Sequence, residues 1–164
     1  MPNAAAQTTL CASTRCNTSC PATMAELMAP KILDGCAANK ALRAHDAPHG
    51  DVGATDVVMV LDHQALCWWR VLAPEAELLW LHVLDGSQGQ GLGSLLLAAS
   101  MEHLHHRLGV TQLFLEVSVK NNTAYHLYHK FGFKVVGTRK KYYQDKDTGN
   151  TCDAYVMTCN QFHR

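Results

Sequence analysis

Trp80-Leu81-His82-Val83-Leu84-Asp85-Gly86-Ser87-Gln88-Gly89-Gln90-Gly91-Leu92-Gly93-Ser94-Leu95-Leu96-Leu97 is the stretch that decides how this chain is read. It predicts an apolar strand, a glycine-rich turn and the first turn of an amphipathic helix. Gly89, Gly91 and Gly93 stand at alternate positions, which keeps Cβ atoms out of the turn and lets a ligand approach the backbone. The helix behind the turn starts with unpaired N–H groups and the positive end of its dipole, a geometry that binds phosphate. A dinucleotide turn reads G-x-G-x-x-G, whereas this run is G-x-G-x-G followed by Ser94. The Lys-Ser/Thr ending of a P-loop is missing as well. The residues alone leave two readings open: a phosphate cradle, or a tight connection with no ligand.

Composition narrows the classes. A chain of 164 residues, 48% hydrophobic, is long enough to bury a core of its own as one domain. Its formal net charge is zero, which gives no electrostatic case for nucleic acid or an anionic membrane. No apolar run approaches the ~20 residues that span a bilayer. The seven cysteines are an odd number without a C-x-x-C pair, so free thiols in a reducing compartment are expected rather than a zinc site or a disulfide framework. Of the ten histidines, His103, His105 and His106 share one helical segment at different angles with no partnering carboxylate pattern. A solvated helix face is expected there, and no metal.

Residues 1–20 contain one Arg, no acid and no hydrophobic period, which predicts a disordered extension; residues 21–164 are expected to form the single domain. Ala22 to Ala44 predicts two short helices interrupted by Pro30 and Gly35, with Met24, Leu27, Met28, Ile32 and Leu33 as a buried stripe. His45 to Ala54 reads as a loop. The period then changes. Val57–Leu61, Ala65–Leu72 and Glu77–Val83 are strand-length runs separated by Asp62-His63-Gln64 and Ala73-Pro74-Glu75, short enough for hairpins. Leu92–Leu108 is a helix stopped by Gly109. Thr111–Val119 is a strand, Asn121-Asn122 caps a second helix, and Phe133–Tyr143 and Asp153–Thr158 are two further strands. This order predicts one mixed sheet with helices on both faces.

Glu116-Val117, Asn121, Ala124, Leu127-Tyr128, Gly132-Phe133, Gly137, Tyr142-Tyr143 and Asp153-Ala154 read as L-E-V-x-x-x-N-x-x-A-x-x-L-Y-x-x-x-G-F-x-x-x-G-x-x-x-x-Y-Y, then D-A-x-x-M. Together with Gln88, Gly91 and Gly93 as Q-x-x-G-x-G, the pattern resembles the GNAT acetyltransferases. Within them it looks most like the protein N-alpha-acetyltransferases of the ribosomal-protein-alanine type. The likeness runs from about Ala76 to Thr158. It implies an α/β (α+β) GNAT fold, whose single, mostly antiparallel sheet is splayed in the middle.

The resemblance also implies roles. Acetyl-CoA is the expected co-substrate, lying in a V-shaped gap between the strand ending at Val83 and the strand Leu113–Val119. The backbone of Leu81, His82 and Val83 would pair with its pantetheine amides as an added strand would. N–H groups near His82 or Val83 would receive the developing oxyanion. Gln88, Gly89, Gln90, Gly91, Leu92, Gly93 and Ser94 would hold the pyrophosphate, and Asn121 the pantetheine arm. Glu116 would take the proton of the acceptor amine, directly or through water. A carboxylate half-buried in an apolar strand tends to a raised pKa, which suits a base. A peptide α-amine, with an unperturbed pKa near ~8, needs less help than a lysine near ~10.4. Tyr128 would protonate the departing thiolate. Tyr142 and Tyr143 would line a peptide slot and bond the substrate backbone near its amino end, and Glu116 would also meet the substrate.

The chain also departs from the pattern. Gly89 and Gln90 stand where relatives usually carry basic residues, Ser118 where many have Arg, and nothing before Val57 matches the family's first strand. His82 lies on the strand where some relatives place a base and competes with Glu116. The expected acceptor is a protein or peptide amino terminus, with the ribosome or an auxiliary subunit as candidate partners and a cytoplasmic location. A small-molecule amine acetyltransferase and an acyl-CoA-binding module without turnover are the rival readings.

Overall fold

The structure is a computed structural model that describes residues 29–47, 51–144, 150–160 and 162. The expected extension over residues 1–20, and Met24, Leu27 and Met28 of the expected stripe, lie outside the described residues. The elements in chain order are β1 (Lys31–Ile32), α1 (Gly35–Ala44), β2 (Asp56–Leu61), β3 (Ala65–Leu72), β4 (Glu75–Val83), α2 (Leu92–Leu108), β5 (Gln112–Ser118), α3 (Asn122–Lys130), β6 (Lys134–Gln144) and β7 (Thr151–Cys159).

These strands form one sheet in the order β1-β2-β3-β4-β5-β7-β6. Each neighbouring pair is antiparallel except β4 with β5. Parallel neighbours need a crossover, and α2 supplies it. Alternation along β2 and β3 sends side chains to two cores. Met59, Leu61, Cys67 and Trp69 face α2 and α3, whose Leu96, Leu97, Leu104 and Tyr128 complete the larger cluster. Val58, Val60, Leu66 and Trp68 face α1 through Ala38 and Leu42. Full burial of each of Leu96, Leu97 and Leu104 contributes about 1.5–3 kcal/mol.

One irregularity sets up the site. Trp68 pairs with Trp80 while Trp69 pairs with Leu78, so Leu79 is an extra residue on β4. Such a bulge bends its strand and increases the local twist. The pairing of β4 with β5 runs from Glu75↔Gln112 to Leu78↔Leu115 and ends there. Beyond it, β4 continues to Val83 and β5 to Ser118 as the two prongs of a fork. The sheet therefore splays as expected, but from Leu78, five residues ahead of Val83.

The segment before β2 corrects the expected pair of helices. Lys31–Ile32 is a strand paired antiparallel with Met59–Val60, and Ile32 is 49% exposed rather than part of a buried stripe. Pro30 disfavours helix at its predecessor and donates no N–H, so a helix cannot run through it. Gly35 does not interrupt a helix but begins one: Asp34 caps α1, its Oδ1 accepting from Ala37 N at 3.0 Å. Of the histidines of α2, His106 is exposed as expected and His105 differs. His105 stacks on Phe162 with ring centroids 4.4 Å apart, and its Nδ1 meets the Val110 carbonyl at 3.0 Å, so it is not a solvated side chain.

Candidate active site

A cavity of about 640 Å³ lies between the end of β4 and α3, and no residue of β5, the strand expected as its second wall, is part of its lining. Leu81, His82 and Val83 form one wall, the turn from Ser87 to Ser94 the end, and α3 the other wall, with Asn121 and Tyr128 among its lining. Gly89 and Gly91 have φ of 75° and 80°, the left-handed region that side chains resist, so the turn depends on their being glycine. Gly91 is the N-cap of α2 and offers no side-chain hydrogen bond, whereas Asp34 and Asn121 cap α1 and α3. The first-turn N–H groups of α2 are thus left without a side-chain cap at the cavity.

Every residue expected to hold the cofactor lines this cavity except Gln90. The Gln90 Nε2 turns back to donate to the Gly86 carbonyl at 3.3 Å. The Gln88 amide is also spent inside the turn, donating to the Val83 carbonyl at 3.1 Å and to Asp85 Oδ1 at 3.0 Å. It shapes the loop and leaves anion contacts to the backbone. The Asn121 Oδ1 is occupied by Ala124 N at 3.0 Å, so the amide group of its side chain is what remains for a ligand. Thr123, His126 and Lys130 also line the cavity and were missed in the sequence, where the i, i+3, i+7 spacing on α3 was the available signal.

Tyr128 is buried beside Phe133, the rings 5.9 Å apart and edge-on. Burial, then the neighbouring Tyr143 and Cys67, push its phenol well above the usual range, so it stays protonated. Cys67 in the same core has its thiol pushed up to about 12, again chiefly by burial.

Glu116 lies on the other face of the sheet. Leu113, Leu115 and Val117 of β5 are buried in the larger core, so Phe114, Glu116 and Ser118 point away from it. Glu116 follows the last paired residue, Leu115, and therefore sits at the base of the fork. The apolar setting expected for it is replaced by a polar one. Arg139 Nε lies 2.7 Å from Glu116 Oε1. Tyr142 donates to the carboxylate, and that bond, ahead of burial, pushes its phenol up to about 12. The Tyr143 hydroxyl donates to the Glu116 backbone carbonyl at 3.3 Å. The two tyrosine rings meet edge-on at 5.1 Å, with the Arg139 guanidinium 5.4 Å from the centre of the Tyr142 ring. The structure thus brings Glu116, Tyr142 and Tyr143 together beside a second cavity of about 280 Å³, lined by Glu116, Arg139, Phe114 and Val156.

A bulge aims the tyrosines. The β6–β7 register shifts between Arg139↔Ala154 and Tyr143↔Cys152, and Lys141 takes φ 52°. Asp153 holds this distortion, its Oδ1 accepting from Lys141 N and its Oδ2 from Lys140 Nζ, both at 2.9 Å. Those two bonds also lower its carboxyl below the ordinary range, the Lys140 bond most. Arg139 and Asp153 are site residues whose roles sequence reading missed.

His82 is engaged elsewhere. Its Nδ1 lies 3.3 Å from Nδ1 of His45, a side chain 2% exposed whose carbonyl accepts from Trp80 Nε1 at 3.2 Å. Burial, then His82, hold His45 below its ordinary pKa. Among the described residues no group of three or more His, Cys, Asp or Glu could hold a metal ion, and no helix is long and apolar enough to cross a membrane.

Known proteins resemble this chain in sequence and fold. The Acetyltransferase (GNAT) family matches residues 59–133. The N-alpha-acetyltransferase of Sulfurisphaera tokodaii is 35% identical over 86 residues, which are 52% of this chain and 48% of that protein. The [ribosomal protein bS18]-alanine N-acetyltransferase of Escherichia coli K12 is 38% identical over 88 residues, 54% of this chain and 57% of that one. The chain thus spans about half the length of the curated relatives it matches. Among solved structures, the ribosomal-protein-S18-alanine N-acetyltransferase from Escherichia coli superposes with a TM-score of 0.67 at 26% identity, covering 79% of this chain and 91% of that one. A spermidine N-acetyltransferase from Vibrio cholerae, at 15% identity and a TM-score of 0.69, shares the fold. With the forked sheet, the glycine turn and these relatives in agreement, the chain has the GNAT fold and matches the GNAT acetyltransferase family over residues 59–133.

Proposed function

We propose that this protein transfers the acetyl group of acetyl-CoA to the amino terminus of a protein or peptide, by direct attack while both are bound. The match to the GNAT acetyltransferase family supports acetyl-CoA as the donor. The observation that carries the acceptor reading is the grouping of Glu116, Tyr142 and Tyr143 at the base of the fork, on the sheet face opposite the 640 Å³ cavity. The thioester enters from one face and the amine from the other.

In this reading the α-amine gives its proton to Glu116, directly or through water. With a pKa near ~8 it is partly neutral already, so a carboxylate steadied by Arg139 and Tyr142 is base enough. The amine nitrogen forms its bond to the thioester carbon. The oxygen becomes an oxyanion beside the N–H groups of His82 and Val83, then the C–S bond breaks. Tyr128, kept protonated by burial, gives its proton to the thiolate; the same burial makes that thiolate more basic. Tyr142 and Tyr143 hold the first residues of the acceptor, which selects a chain end over an internal lysine.

The test is mass spectrometry of peptides carrying both a free amino terminus and an internal lysine, incubated with acetyl-CoA. Acetylation is expected at the terminus. Acetylation confined to lysine side chains or small amines would overturn the reading.

A further inference from the structure

Glu116, the proposed base, has a carboxylate that already faces a cation. Arg139 Nε lies 2.7 Å from Glu116 Oε1, and the Tyr142 hydroxyl donates to the same carboxylate. Arg139 stands on β6, and β7 lies between β6 and β5, so its side chain crosses the face of the sheet to make this contact. The guanidinium is also 5.4 Å from the centre of the Tyr142 ring. An ion pair whose arginine is 58% exposed ordinarily adds little to stability. Stability therefore does not account for a cation placed on the proposed base.

The pair decides what an approaching amine meets. The Glu116 side chain is 13% exposed, so water screens its charge poorly. Without Arg139 such a carboxylate would draw in any protonated amine and hold it as an ion pair. A protonated amine has no lone pair with which to attack a thioester. Binding it more tightly deepens the ground state and slows turnover. With Arg139 in place the two charges cancel at close range, and a second cation there would meet the guanidinium. The neighbouring cavity also interleaves its charges: Arg70 stands opposite Glu77 in the β3–β4 register and 3.4 Å from Asp56. Near pH 7 roughly a tenth of an α-amine is neutral, against less than about a thousandth of a lysine side chain.

We propose that Arg139 is a specificity-determining residue that acts through Glu116: it neutralises the carboxylate, so that the site takes an amine only in its neutral form and does not fill with protonated amines. The inference rests on the reading of Glu116 as the base for an amino terminus. It adds the reason that strongly basic amines, such as lysine side chains and polyamines, do not occupy the same place.

Steady-state kinetics of the full chain near pH 7 test this, with a lysine-free peptide as acceptor and methylammonium as a competing cation at constant ionic strength. The wild type is expected to be insensitive to methylammonium. Arg139→Gln keeps an N–H donor and loses the charge. It should lower the peptide KM and kcat together by roughly fivefold, with kcat/KM near the wild-type value, and become competitively inhibited by methylammonium. Arg139→Lys keeps the charge and should restore wild-type behaviour in both respects. Arg139 is exposed, so both variants should melt as the wild type does. A fall in kcat without sensitivity to methylammonium, or the same change in Arg139→Gln and Arg139→Lys, would show that Arg139 only orients Glu116 and overturns the proposal. Wild-type kinetics in Arg139→Gln overturn it as well. A wild type that does not acetylate the peptide amino terminus overturns the acceptor reading, and this proposal with it.

Discussion

The Tyr143 hydroxyl donates to the backbone carbonyl of Glu116 across 3.3 Å, and its ring lies close enough to Tyr128 to disfavour a second phenolate there. Tyr143 therefore adjoins the proposed base, and both it and Tyr128 are raised above the ordinary phenol range and stay neutral.

Glu116→Gln should lower turnover about 10²-fold or more and leave acetyl-CoA affinity unchanged, because Glu116 does not line the larger cavity. Steady-state rates together with a calorimetric Kd check both halves. Wild-type turnover in this variant would return the base role to His82 or to bulk water.

Tyr128→Phe should cost a similar factor in kcat with little change in KM for the peptide. It also removes a buried hydroxyl, so a melting curve is needed to show that the fold survives. A fall in kcat with an intact melt supports the acid role. An unchanged kcat leaves Tyr128 as a packing residue against Phe133.

Asp153→Ala removes both acceptors that hold Lys140 and the Lys141 backbone. The tyrosine pair then loses its fixed aim. A several-fold rise in peptide KM is expected, with acetyl-CoA affinity unaffected. Equal peptide KM in mutant and wild type would show that the bulge does not position Tyr142 and Tyr143.

These variants probe different degrees of legibility. β2 to β5 could be read because their signals are local: Val57 to Leu61 is an unbroken apolar run of strand length, and Leu113 to Val117 declares two faces by alternation. The glycine turn was legible for the same reason, since Gly89 and Gly91 adopt a backbone that few other residues tolerate. What escaped was set by distant partners. β1 is two residues long and exists because β2 offers it an edge. The Arg139–Glu116 pair and the Asp153 clasp join different strands, and nothing in the spacing of either residue announces them. His45 sat in a stretch read as loop, and its burial depends on Trp80 and His82, far along the chain.

His45 gives a pH dependence with a defined sign. Its folded pKa lies below the ordinary value of 6.5, first through burial and then through His82. The unfolded chain therefore takes up this proton first as pH falls. The stability this residue confers is complete above about pH 6.5 and is lost as pH drops toward and through the lowered folded value. Urea midpoints should fall between pH 7.5 and 5.5, and fall less in His45→Gln. The same drop in both proteins would mean that other groups govern acid sensitivity.

The extra residue at Leu79 turns a continuous sheet into two independent counters served through one window. In the proposed reaction the goods handed over at the front, and the carrier waiting at the back, would rest on different segments of the chain. Descendants of this protein could exchange their recipients by altering the β6–β7 hairpin, while the delivery side went on unaltered.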